Sequence, residues 1–311
     1  LRASGTYNHM IIVKISGGLG NQLFQYATAR ALALRFNTQI KLDLSFFNQP
    51  KFQNAFRLSK FNIPAETANK SERKKLINKK GNKFFRRLKR LGIQFPPYYK
   101  KSHIIEEGIL GLINLSSSKV NADYYLEGWF ASDRYFKSYR DVLLKELTVD
   151  YKLNESNNVM LGHIMKSNAV SVHIRRGDYL ANNYFHNLTS EYYLKAIDFI
   201  KERVENPVFY FFSDDIAWVK NEYKSIDDAI FVEGNSEHES VFTTSGDIYD
   251  LMLMRNCKHN IIANSTFSWW AAWLNGNSSK IVIAPEKWFT NLNVQHLAEQ
   301  NSFVPANWIR L

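Results

Sequence analysis

The sequence predicts an α/β protein of two domains, each built on a parallel sheet, and three observations point there. From residue 169 onward, five short β-rich runs alternate with helical patterns, the rhythm of a parallel sheet with right-handed crossovers. Residues 10–34 form a separate strand, glycine turn and helix, so a similar unit opens the chain. At 311 residues the chain is long enough for two cores, and 45 % hydrophobic with 14 % aromatic residues excludes a largely disordered protein. The boundary is expected near residues 150–168, dividing an N-terminal domain, 10–160, from a C-terminal domain, 161–311.

In order along the chain, residues 10–16 (MIIVKIS) run apolar into Gly17-Gly18-Leu19-Gly20. Leu23, Phe24, Ala27, Ala31 and Leu34 then recur at helical spacing. Residues 39–44 (QIKLDL) alternate as a second strand, whereas about 50–120 are irregular, polar and basic and read as an insertion. Residues 124–130 (YYLEGWF) restore a strand and 133–147 a helix. The later strands are 169–175 (AVSVHIR), 207–212 (PVFYFF), 229–233 (AIFVE), 260–263 (NIIA) and 280–284 (KIVIA). Helices are expected between them at 190–204, 215–223, 246–257 and 265–274, the first capped by Thr189 or Ser190.

The net charge of +11 is uneven. Between residues 70 and 101 stand thirteen Lys or Arg and one acid, Glu72, so the rest of the chain is almost neutral. The basic character belongs to a segment and not to the fold, and no stacking motif accompanies it, so nucleic acid is not an expected partner. From Lys70 to Leu91, apolar Leu76, Ile77, Phe84, Phe85, Leu88 and Leu91 interrupt a cationic face. That pattern reads either as an interfacial helix resting on an anionic membrane or as a solvated surface helix. The single cysteine, Cys257, cannot form an internal disulfide and fits a reducing compartment; beside Met252, Leu253 and Met254 it reads as a small buried hydrophobe. No apolar run reaches membrane-spanning length, and Lys14 interrupts the stretch after Met10, so no signal peptide is expected. Residues 1–9 precede the first methionine and read as foreign to the fold. A cytoplasmic setting follows, peripheral to the inner membrane face if the interfacial reading of the basic stretch holds.

In open α/β sheets ligands bind beyond the carboxyl ends of the strands, so the candidate site residues are those that end the runs. After 169–175 comes His173-Ile174-Arg175-Arg176-Gly177-Asp178. Alternation places His173 and Arg175 on one side and Arg176 on the other. Arg175 is a fork of donors suited to phosphate, while Arg176 reads as structural, paired with Asp178. Next is Ser213-Asp214-Asp215: Asp214 could accept two hydrogen bonds from a guanine edge, or the pair could simply cap a helix, as Asp215 is expected to. Asn264-Ser265-Thr266 opens a helix, where free N–H groups and hydroxyls make an anion site, or ordinary capping. Trp269, Trp270 and Trp273 read as core. The loop Gly17-Gly18-Leu19-Gly20-Asn21-Gln22 lacks the third glycine of a dinucleotide fingerprint and the lysine of a P-loop, which leaves a tight turn suited to a pyrophosphate or a sugar hydroxyl. No Asp-x-Asp and no zinc spacing occurs, so no metal is expected, and cationic side chains with helix N-termini would have to stabilise a leaving diphosphate.

Together GGLGNQLFQYA (17–27), HIRRGDY (173–179), SDD (213–215) and NSTFSWWAAWL (264–274) resemble the α-1,2-fucosyltransferase family, glycosyltransferase family 11, of bacterial type. LEGWFASDRYF (126–136) is similar to a further segment of that family. The resemblance implies a GT-B architecture, two Rossmann-like domains facing a central cleft, with the acceptor on the N-terminal side and GDP-fucose in the C-terminal domain. It implies inverting transfer of L-fucose to the 2-hydroxyl of a terminal β-galactoside, with no cofactor beyond the donor. The HxRR segment is also similar to that of α-1,6- and protein O-fucosyltransferases, which assigns the β-phosphate to Arg175. By the same likeness Asp214 takes guanine, His173, Ser265 and Thr266 supporting contacts, and Asn21, with Gly18, Gly20 and Gln22 around it, the acceptor hydroxyl or leaving phosphate. A general base is not assigned: Asp178, Glu127 and Asp133 are the candidates. The competing readings are transfer of a related GDP-6-deoxyhexose such as colitose, or another acceptor linkage. Outside the enzymes, they are a GDP-sugar-binding module and a basic nucleic-acid-binding protein.

Overall fold

The computed structural model describes residues 9–49, 56–77, 102–106, 115, 118–119, 121–149, 153–177, 179, 183–233, 235 and 246–311. The first sheet takes β1 (Met10–Lys14), β2 (Gln39–Asp43), β3 (Ala65–Thr67), β4 (His103–Ile105) and β5 (Tyr124–Glu127), in the spatial order β3-β2-β1-β5-β4. The second takes β6 (Asn168–Ile174), β7 (Pro207–Ser213), β8 (Ala229–Phe231), β9 (His259–Ile261), β10 (Val282–Ala284) and β11 (Ile309–Arg310), in the order β11-β10-β9-β6-β7-β8. Every pairing between these strands is parallel. Read from β8, the second order is that of the doubly wound dinucleotide folds, reversing direction between β6 and β9. The first sheet reverses between β1 and β5.

Helices join and cover the strands: α1 (Leu19–Arg35), α2 (Lys70–Leu76), α3 (Arg140–Glu146), α4 (Glu155–Lys166), α5 (Ser190–Lys201), α6 (Ile216–Glu222), α7 (Gly246–Asn256), α8 (Thr266–Leu274) and α9 (Leu292–Gln300). β1, β6, β7 and β10 are nearly continuous apolar runs because both faces of a parallel sheet are covered.

Three expectations are corrected. The stretch 50–120 is not wholly an insertion, since it supplies β3 and β4, the two edges of the first sheet. Each has three residues, too few for alternation to show. The helix expected over 133–147 begins at Arg140; before it run two 3₁₀ turns, Asp133–Tyr135 and Lys137–Tyr139. Ser132 caps the first turn, and Phe136 ends it so that its ring is wholly buried. In the basic segment, α2 carries a capping box of Asn69 and Glu72, and Leu76 and Ile77 pack with Ile12 and Tyr125 instead of facing outward. Phe84, Phe85, Leu88 and Leu91 lie outside the described residues. Among the described residues no helix is long and apolar enough to cross a membrane.

The two sheets share one core, and aromatic rings make the joint. Phe24 of α1 lies 4.5 Å from Trp269 and 5.1 Å from Trp270 of α8, and Phe136 stacks on Trp270 at 5.2 Å. Trp273 completes the group, so the tryptophans are core, as their helical spacing predicts. Residues after α9 close the same joint: Trp269 Nε1 donates to the Phe303 carbonyl, and Ser132 Oγ to that of Asn301. Cys257 is buried, and burial pushes its thiol far up, consistent with a packing role. Phe24→Ala should lower the unfolding free energy by about 3–5 kcal/mol in a urea titration, since it opens a cavity between large rigid rings. A loss below about 1 kcal/mol would show that the joint does not depend on this ring.

Candidate active site

One cavity of about 630 Å³ lies where the two switch points face each other, within the size range of small-molecule sites. The turn after β1 (Gly17 to Asn21) and the turn after β5 (Trp129, Ala131) line it from the first sheet. His173, Arg175, Ser213 and Asp214, at the ends of β6 and β7, and Ser265 and Thr266, which open α8 after β9, line it from the second.

The glycine turn is shaped for close approach. Gly17 has φ +76°, a region that favours glycine. A Cβ on Gly20 would stand 2.5 Å from Thr266 Oγ1 and 2.6 Å from the Thr266 carbonyl carbon. Only glycine lets the first turn of α1 touch the first turn of α8. No side chain caps α1, no acid stands in the first turn of either helix, and Ser265 caps α8 through the Phe267 amide. Two helix N-termini, each a partial positive charge with free N–H groups, therefore open on the same cavity.

Gln22 is not in that cavity. It is fully buried, donates from Nε2 to the Gly17 carbonyl and accepts from the Arg57 amide. Gln25 does similar work, bonding Ser16 and the Gly128 carbonyl. An amide in a polar loop motif looks like a ligand in sequence, but here the two amides replace backbone bonds that the turn lacks. Asn264 is corrected in the same way. Its Nδ2 donates to the carbonyls of His186 and Trp288, tying together the two segments that meet at the isolated Phe185–Phe289 bridge.

Arg175 Nη1 lies 3.1 Å from Asp214 Oδ2, and the guanidinium stands over the Tyr179 ring. Asp214 Oδ1 accepts from the Arg176 amide at 2.9 Å, and Gly177 leaves no room for a Cβ, which would lie 2.5 Å from Asp214 Oδ2. Both oxygens of Asp214 thus take part in holding the arginine turn. Arg176 points away from Arg175 as alternation requires: its Nε pairs with Asp215, at 3.1 Å, and it lies 3.5 Å over the Trp218 ring. Asp215 also caps α6 through the Trp218 amide. Asp178 lies outside the described residues. His173 is buried against Phe267, and burial with the neighbouring Arg175 charge pushes it down to about 3, so it is a neutral imidazole at any working pH.

The other base candidates do not line the cavity. Glu127 is bound by Lys14 and His103, whose bonds hold it down at about 2. Asp133 is raised by burial and bonded to the Trp273 side chain. The cavity instead has two carboxylates that sequence reasoning missed, Asp247 and Asp250 on the first turns of α7. Asp247 pairs with Arg57 at 3.2 Å, linking the two halves. Asp250 accepts from Asn235 Nδ2 at 2.8 Å, and Asn157 orients that amide; burial first, then Asp247, raises Asp250 to about 7. In sequence such acids read as ordinary helix N-terminal residues. Among the described residues no three His, Cys, Asp or Glu side chains gather as a metal site.

The sequence profile of glycosyl transferase family 11 matches residues 10–311. The chain is 35 % identical to an alpha-1,2-colitosyltransferase of Escherichia coli, over 97 % of this chain and 99 % of that one. It is 34 % identical to the O-antigen biosynthesis glycosyltransferase WbnK of Escherichia coli, over 96 % and 99 %. With mouse galactoside 2-alpha-L-fucosyltransferase Sec1 it shares 25 % identity over 87 % of this chain and 66 % of that one. The crystal structure of POFUT1 in complex with GDP-fucose superposes with a TM-score of 0.52 at 14 % identity, covering 89 % of this chain and 98 % of that one, a likeness of fold. The architecture is therefore GT-B, with two Rossmann-like sheets meeting at a cleft. The chain is a glycosyltransferase and belongs to glycosyl transferase family 11.

Proposed function

We propose that the protein transfers L-fucose from GDP-β-L-fucose to the 2-hydroxyl of a terminal β-galactoside, with inversion and without a metal ion. The observation that carries this reading is the meeting of Arg175 and the N-termini of α1 and α8 on one cavity. Fixed positive charge of that kind stabilises a departing diphosphate without reorganising. The acceptor oxygen attacks fucose C1 from the face opposite GDP, and the bond from C1 to the β-phosphate oxygen breaks. The transition state is oxocarbenium-like, the hydroxyl proton reaches the departed diphosphate through solvent, and Asn21 orients the hydroxyl. Asp214 keeps Arg175 in place, His173 stays neutral beside the diphosphate, and Ser213, Ser265 and Thr266 complete the donor side. The guanine N–H edge is assigned to Asp250, whose carboxyl is positioned by Asn235 in the same cavity, with Asp214 the other acceptor in reach of it.

A second donor has an observation in its favour, because the 35 % identical relative is named for colitose transfer. Colitose is fucose without its 3-hydroxyl, so the same diphosphate site would serve both. Comparing kcat/KM for GDP-fucose and GDP-colitose on one galactoside decides between them.

With GDP-fucose and lactose, the expected product is α-1,2-fucosylated and its rate is the same with EDTA; loss of activity on chelation would refute the metal-free step. Arg175→Ala should lower kcat by about 10²–10³ while the protein still melts cooperatively. Near-normal turnover would remove Arg175 from the mechanism. Because Asp250 must be ionised to accept two N–H groups, affinity for GDP should be full above pH 7 and fall as pH drops through about 7. Asp250→Asn should abolish that dependence, and a pH-independent GDP affinity in the unsubstituted protein would overturn the assignment.

A further inference from the structure

The segment 126–136 was singled out in sequence, yet nothing in the donor site uses its tryptophan. Trp129 lies at the carboxyl end of β5, on the side of the cleft opposite Arg175, and lines the cavity partly buried. Among the described residues no ring or cation stacks on its indole. The other cavity tryptophan, Trp288, is buried against Phe303.

The loop that presents Trp129 is held against its own preference. Phe130, a bulky residue, adopts φ +52°, in the left-handed region. Glu106 receives both the Trp129 and the Phe130 amides, at 2.5 and 2.7 Å, with its carboxylate buried and raised by that burial. Gln25 ties the Gly128 carbonyl from α1. Gly17 makes room: a Cβ there would lie 3.1 Å from Trp129 Cζ3 and 2.9 Å from Asn21 Nδ2. Strain of this sort persists where surrounding bonds over-determine it, and it clusters at ligand sites. The result is a flat, electron-rich face directly beside a side-chain amide.

We infer that Trp129 is the platform for the acceptor sugar, its indole stacking on the apolar face of a β-galactose-type pyranose while Asn21 meets a hydroxyl beside it. This rests on the acceptor reading proposed above. In β-galactose the axial 4-hydroxyl leaves C3–H, C4–H and C5–H together on one face, an apolar patch that matches an aromatic ring, while the opposite edge stays polar. The nucleotide is the other flat candidate, but the groups suited to its phosphates and base edge, Arg175, Ser265 and Asp250, come from the second sheet and its helices.

The test titrates methyl β-D-galactopyranoside into the GDP-loaded protein, unsubstituted and as Trp129→Phe and Trp129→Ala, followed by saturation-transfer NMR. GDP affinity and a cooperative melt are measured on each variant. The expected result is galactoside binding weakened about tenfold or more in Trp129→Ala and less in Trp129→Phe, with GDP affinity within about twofold and acceptor KM rising in parallel. Unchanged galactoside binding, no galactoside binding by the unsubstituted protein, or an equal loss of GDP affinity would each overturn the inference, the last placing the indole on the nucleotide. Absence of transfer from GDP-fucose by the unsubstituted protein would refute the proposed reaction alone, because the binding comparison decides Trp129 without turnover.

Discussion

The contact between Gly20 of α1 and Thr266 of α8 governs the geometry of everything around it. A methyl group at Gly20 would overlap Thr266 backbone, so the two helices can begin side by side only because that position has no side chain. Just beyond the contact, Phe24, Phe136, Trp269, Trp270 and Trp273 interlock. The rings are large and rigid, and they hold the helix starts in register from one sheet to the other. Two carboxyl-end crevices, each an ordinary feature of a parallel α/β sheet, thereby become one cavity. The same contact aims two partial positive charges at one volume.

Around that volume the charged groups are held by neighbours that leave their working faces to the cavity. Asp214 restrains Arg175 through one oxygen and the arginine turn through the other. Arg176, one residue along, is taken out of the site by Asp215 and Trp218. His173 is kept neutral by burial and by the adjacent guanidinium, so it adds a hydrogen-bonding ring without adding charge. On the opposite wall Glu106 fixes the turn after β5, as Asp214 fixes the turn after β6. In each case a carboxylate serves as an acceptor for backbone amides that no strand or helix satisfies.

The strand-ending motifs were legible because they combine local signals: apolar runs that stop at glycine or small polar residues, then helical periodicity. Arg175, Ser213, Ser265 and Thr266, which line the cavity, carry that signal, and the alternation that sends Arg176 to the other face is a property of any strand. Gln22 and Asn264 were misread because an amide's partner depends on which loop folds against it. Asp247 and Asp250 carried no signal at all, because two acids on the first turns of a helix are common without function, and the segment around Trp129 was marked without a role for its ring. Edge strands β3 and β4 escaped because three residues do not display a period.

By itself, then, the sequence determined the α/β class, the sites of the strand ends and the residues that open α1 and α8, all consequences of periodicity and turn chemistry within about twenty residues. It also carried the order of motifs that marks the family. The tertiary structure alone decided which of those ends share a cavity, which polar groups are consumed in holding turns, and which carboxylates remain to face a ligand. Those outcomes depend on contacts between residues more than a hundred positions apart, such as Gly20 with Thr266 or Arg57 with Asp247, and on the burial that moves Asp250 and His173 from their ordinary ionisation. Local propensity carries no information about such pairs, because their geometry exists only once both sheets have packed.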